Sequence, residues 1–225
     1  MEERTTEKKQ RPSPARYPVR GVDVSSHNGE IDWPVLSAQD ISFVYMKATE
    51  GSDFIDRRFA YNYAEAQKTA LRVGAYHFWS YTSAGKTQAE NYINTVPRIP
   101  HMLPPVIDVE LLGKREWDPP APEEVRAELS DMIALLTAHY GGPPVLYASA
   151  HAYRVYLMDG AFSGCDIWIR DVVKEPRLPD GRAWTFWQYT DTARLPGYVG
   201  GIEHIDMNVF CGSAAEFAAY RANGA

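Results

Sequence analysis

The sequence predicts an α/β protein, a modified β/α (TIM-like) barrel with five strand–helix units followed by three strands on short connections. Short apolar, β-branched runs alternate with helical patterns as far as Leu157. Beyond it strands continue, but their connections hold Pro and Gly instead of helical periodicity. The strands total eight, the number that closes a barrel. The same rhythm also suits an open doubly wound sheet. At 225 residues, with 45% apolar and 12% aromatic content, the chain can form one sizeable core.

Each element has a local reason. "RGVDVSS" is an apolar run closed by small polar residues, and a brief helix follows in "DWPVLSAQ". "SFVYMKAT" reads as the second strand, and "DRRFAYNYAEAQKTAL" as a helix for which Asp56 suits the N-cap. "RVGAYHFW" and the helix "AGKTQAENYINTV" form the third unit, and "LPPVIDVELLG" is the fourth strand. The clearest helix comes next. Pro122 fits its first position, Glu123 and Glu124 suit the positive end of its dipole, and Gly141 and Gly142 end it. Val125, Leu129, Met132, Ile133 and Leu136 make one apolar stripe along it. "PPVLYAS" and a short helix in "AHAYRVYL" complete the fifth unit. "CDIWIRD", "AWTFWQYT" and "HIDMNVF" are the last strands, and "SAAEFAAYRA" is a closing helix.

Residues 1–19 are expected to be a disordered basic tail, with residues 20–225 one barrel domain. The first twenty residues carry six Lys/Arg against three Glu, leaving about −9 for the remainder of a chain whose net charge is −6. An acidic body argues against nucleic acid or an anionic membrane as partner. No segment approaches the roughly 20 apolar residues of a membrane span, and the tail lacks the apolar centre of a secretory signal. Cys165 and Cys211 make no disulfide framework; two buried thiols is the simpler reading and one bridge the other. No zinc-type spacing is present, and a monomer is expected.

The fourth strand raises a question, because Asp108 and Glu110 sit two apart in an otherwise apolar run. Barrel strands alternate between helices and axis with period two. Ile107, Val109 and Leu111 then face the helices, while Val106, Asp108 and Glu110 face inward. The same alternation turns Asp23 inward between Val22 and Val24, and Asp206 with Asn208 inward between Ile205, Met207 and Val209. Four carboxyls thus converge at the strands' C-terminal mouth, where barrel enzymes place their chemistry. Crowding and burial raise a carboxyl pKa, supplying an acid near neutral pH beside a charged partner, as glycoside cleavage needs. Two other readings use the same acids: a buried network paired with Lys47 or Arg170, and a Mg²⁺ or Ca²⁺ phosphodiester hydrolase, disfavoured by the few basic residues at strand ends. Tyr76, Tyr147, Trp168, Trp187 and Gln188, at strand ends, are candidate saccharide contacts, although many such rings serve only as core. His77 is either a core histidine or a substrate contact.

With these residues the chain resembles the lysozymes of glycoside hydrolase family 25, the Chalaropsis-type N-acetylmuramidases. The resemblance rests on "GVDVSSHNGEIDW", "MKATEG", "GAYHFW", "PPVIDVE", "FWQYT" and "IDMNVF", in that order. It implies a catalytic barrel that hydrolyses the β-1,4 bond between N-acetylmuramic acid and N-acetylglucosamine in peptidoglycan. Retention at the anomeric carbon, and no metal or other cofactor, are also implied. Carried over by motif, Glu110 is the general acid/base, Asp108 the orienting and stabilising group, and Asp23 and Asp206 the rest of an acidic floor. Two carboxyls on one strand approach a sugar from similar directions, which favours substrate assistance by the 2-acetamido group. A catalytically silent glycan-binding barrel is the rival reading. Substrate location points outside the cytoplasm or to the cell envelope. The segments "WIRDVVKE" and "YASAHAYRVYL" depart from the family pattern beside the expected cleft, so sugar subsites there are expected to differ.

Overall fold

The computed structural model describes residues 14–201 and 203–220. Strand β1 (Arg20–Val24) leads through β2 (Gly29–Ile31) and α1 (Trp33–Ser37) to β3 (Phe43–Glu50). β4 (Phe54–Ile55), α2 (Phe59–Ala66), β5 (Arg72–Phe78), α3 (Gly85–Thr95) and β6 (Val106–Val109) follow. α4 (Pro122–Tyr140), β7 (Val145–Ser149) and α5 (Ala150–Ala152) come next, α5 running into a π turn at Tyr153–Leu157. The chain then forms β8 (Asp166–Arg170), β9 (Phe186–Ala193), β10 (Tyr198–Gly200), β11 (Ile205–Phe210) and α6 (Ala214–Ala219).

Eight of these strands form the barrel in the order β1-β11-β9-β8-β7-β6-β5-β3, and β3 pairs back with β1 to close it. Closure excludes the open doubly wound sheet. All barrel neighbours run parallel except β11, which is antiparallel to both β1 and β9. That is a consequence of the short connections after β8, since an antiparallel strand needs no crossover helix. β4 pairs antiparallel with the end of β3 at the rim, and β2 pairs with β10 as a separate ribbon.

Two cores result from the period-two alternation. Ile107, Val109, Leu146, Ile167 and Ile169 face outward and pack with Leu129, Met132 and Leu136 of α4. Val106, Tyr45, Tyr147, Trp168 and Phe186 point inward and fill the cylinder, with Phe217 of α6 packed into the same cluster. The aromatic filling leaves the axis a packed interior rather than a channel. α4 meets every local expectation: Pro122 in its first turn, Glu123 and Glu124 there too, and Gly141 at φ 84°, the left-handed conformation that suits glycine.

One local expectation is corrected. Asp56 does not cap a helix; its carboxylate accepts from the Ser26 and Arg58 amides, tying two loops together, and α2 begins only at Phe59. Of the tail, residues 1–13 lie outside the described residues, but residues 14–19 pack on the barrel. Tyr17 lies edge-on to Trp184 and Trp187, Val19 is buried, and the Val19 carbonyl accepts from Phe210 N–H. Apolar side chains at 17 and 19 find a hydrophobic seat that the charges of the tail concealed. Both cysteines are free, Cys165 buried and Cys211 exposed. No helix among the described residues is long and apolar enough to cross a membrane.

Candidate active site

A cavity of about 450 Å³ opens above the inner core, lined by Asp23, Asp108, Glu110 and Asp206 from three strands. Each acid arrives by backbone register. Asp23 and Asp206 face one another directly across the antiparallel β1–β11 pair. Asp108 is level with Tyr147 on β7, and Glu110 is the first residue past the end of β6.

Gln188 joins the two sides of the floor. Its Nε2 donates to Asp23 Oδ2 at 3.0 Å and to Asp206 Oδ2 at 3.2 Å, while its Oε1 accepts from the Tyr147 hydroxyl at 2.9 Å. Asn208 donates to Asp23 Oδ2 at 2.7 Å and accepts the Trp168 indole N–H at 2.9 Å. Both amides are buried, so their orientations are dictated by these partners. Asn208 joins the site beyond the predicted residues; its alternation with Asp206 in "IDMNVF", on the same face, is the signal that marks it.

Burial pushes all four carboxyls above their ordinary range, and repulsion between them adds to it at Asp108, Glu110 and Asp206. Asp108 is raised well above, first by burial and then by the charges of Glu110 and Asp23. Glu110 is raised by burial, against the Tyr147 hydroxyl and Arg170, which favour its ionised form. Burial, then Asp23, pushes Asp206 to about 8. Asp23 is raised by burial although Asn208 and Gln188 donate to it. The cations offer little neutralisation, because Lys47 pairs with Glu50 at 2.6 Å and Arg170 with Asp191. The paired-network reading therefore does not describe this cluster. One atom has no partner at all: Asp108 Oδ1 is buried and accepts no hydrogen bond among the described residues.

Tyr76, Tyr147, Trp168 and Gln188 all line the cavity. Trp187 does not. It lies on the opposite face of β9 from Gln188, fully buried, with its indole N–H donated to the Asp171 carbonyl and its ring against Tyr17 and Trp184. Adjacent strand residues point to opposite faces, so 187 and 188 cannot both reach one cavity. His77 also proves to be core. It is wedged between Thr49 Oγ1 (2.7 Å) and Gln88 Oε1 (2.9 Å), and burial lowers its pKa to about 4.

Similar proteins share this arrangement of strands. The structure of a family 25 glycosyl hydrolase from Bacillus anthracis superposes with a TM-score of 0.89 at 48% identity, over 96% of this chain and 99% of that one. A bacterial lysozyme from Streptomyces coelicolor gives 0.82 at 31% identity, over 92% and 98% of the two chains. In sequence, Lysozyme M1 of Streptomyces globisporus is 33% identical over 92% of this chain and 72% of its own length. The family described as "Glycosyl hydrolases family 25" matches residues 22–198, which include Asp23, Asp108 and Glu110 of the site. A closed mixed barrel, an inward cluster of buried acids and a match across most of the chain agree: this protein belongs to glycosyl hydrolase family 25.

Proposed function

We propose that the protein is a muramidase that cleaves the β-1,4 bond between N-acetylmuramic acid and N-acetylglucosamine in peptidoglycan, acting outside the cytoplasm or at the cell envelope, where that polymer lies. The observation that carries this reading is the convergence of four carboxyls of raised pKa on one cavity walled by tyrosine and tryptophan.

Glu110 is the general acid, protonating the glycosidic oxygen as the bond breaks, and afterwards the base that activates water. Asp108 stands two residues earlier on the same strand face, so it reaches the sugar from the side of Glu110 rather than from the opposite face. That disfavours direct attack on the anomeric carbon. The 2-acetamido oxygen of the substrate serves as nucleophile instead, and the Asp108 carboxylate, which lines the cavity, takes the acetamido N–H. The anomeric configuration is retained through two inversions. Asp108 and Glu110 titrate as a pair, and an N–H donated to Asp108 favours its ionised form. The shared proton then resides on Glu110, where the leaving oxygen needs it. Gln188 and Asn208 hold Asp23 in place, and Asp206 keeps a proton at neutral pH, which limits repulsion within the floor.

The test is clearing of purified cell walls by the wild type and by Glu110→Gln. Turnover by the variant is expected to fall roughly a hundredfold to ten-thousandfold with glycan affinity kept. Binding without clearing by the wild type would instead favour a silent glycan-binding barrel. A sugar ester trapped on Asp108 would replace substrate assistance with covalent catalysis by that residue.

A further inference from the structure

The catalytic cavity is the middle one of three connected hollows. On one flank a hollow of about 260 Å³ shares Asp23, Tyr76 and Asp206 with it. On the other, a hollow of about 570 Å³ shares Glu110 and Leu112 and is walled by Trp117, His151 and Arg170. Glu110 therefore stands at the junction between the central cavity and the larger hollow.

This placement gives the bound glycan a direction, and the argument rests on the muramidase reading above. The general acid must meet the glycosidic oxygen, so the bond breaks at the junction. The ring that keeps the anomeric centre lies over Asp108 and the acidic floor. The sugars on the leaving-group side then enter the hollow beyond Glu110. We propose that this hollow is the leaving-side subsite and that Trp117 is its stacking platform.

The indole is built for such a role. Trp117 is 86% exposed and Leu112 beside it 53% exposed, and the indole makes no hydrogen bond or ring contact among the described residues. The loop that carries it is nevertheless braced. The Tyr81 hydroxyl donates to the Glu110 carbonyl at 2.9 Å, and Arg115 lies 5.1 Å over the Tyr81 ring. His151 Nε2 meets the Glu116 carbonyl at 3.2 Å, and the Tyr156 hydroxyl donates to the Pro120 carbonyl at 3.1 Å. A bare aromatic face on a held backbone loses little freedom when a pyranose ring settles on it. Continuity with the cavity through Glu110 names the occupant, the next sugars of the same strand.

The test compares two substrates. One is a purified glycan strand, which fills the leaving side. The other is a disaccharidyl fluoride ending in N-acetylmuramic acid, whose leaving group is a single atom and leaves the hollow empty. Trp117→Ala is expected to raise KM on glycan strands by up to about tenfold and to leave fluoride release unchanged. Trp117→Phe should recover most of the loss. Equal KM values for the wild type and Trp117→Ala on glycan strands would overturn the proposal, and so would equal losses on both substrates. Failure of the wild type to cleave either substrate would instead refute the muramidase reading itself.

Discussion

Replacing Asp206 by Asn should make the protein more stable and less active, and the gain should depend on pH. Asp206 faces Asp23 across the β1–β11 pair, and one Gln188 amide serves both. Burial first, and the Asp23 charge second, raise the Asp206 carboxyl from 3.8 to about 8. Between those values the folded protein retains a proton that the unfolded chain releases, so stability falls as pH climbs from 3.8 towards 8. At about 1.4 kcal/mol per pH unit the ceiling on this loss is roughly 6 kcal/mol. Asp23 relaxes with its neighbour, so the realised share is smaller; we expect at least about 1.4 kcal/mol. An asparagine retains an oxygen for Gln188 and turns its amide towards Asp23, which removes the cost of ionisation. Urea unfolding at pH 4 and pH 8 measures it: the variant's midpoint should exceed the wild type's at pH 8 by roughly 0.5 M and converge with it at pH 4. Parallel pH dependences for the two proteins would refute the reasoning, because they would mean that Asp206 titrates alike in folded and unfolded chains.

Two further substitutions probe the frame around the site. At Gly85 an added Cβ would lie 1.8 Å from the Glu128 carbonyl oxygen, so Gly85→Ala forces α3 from α4. Thermal unfolding should register a loss of roughly 1–3 kcal/mol, with glycan cleavage retained below the transition. Asn208→Leu removes the donor to Asp23 and the acceptor of the Trp168 indole. Denaturant unfolding should show a loss of roughly 1–3 kcal/mol for each group left unpaired, and glycan cleavage should weaken as the floor loosens.

Alternation along single strands determined much of this protein. Val106, Asp108 and Glu110 share a face because a strand has period two, and that places two acids inside before any partner strand is known. Helix signals were similarly local: Pro122, the paired Glu123 and Glu124 and the apolar stripe of α4 need only their own neighbours. What alternation within one strand could not supply was the relation between strands. The antiparallel entry of β11 brings Asp206 opposite Asp23, and the β1–β3 pairing turns a curved sheet into a closed floor. Trp187 and Gln188 are neighbours with similar credentials as sugar contacts, and the register of β9 decides between them. Asp56 looked like a helix cap because its real partner, the Ser26 amide, lies 30 residues away in the chain. The tail residues Tyr17 and Val19 likewise needed a surface made by β9 and β11. Local periodicity specifies which way a side chain points along its own strand; only tertiary pairing specifies what waits there, because hydrogen-bond partners and burial come from segments distant in sequence.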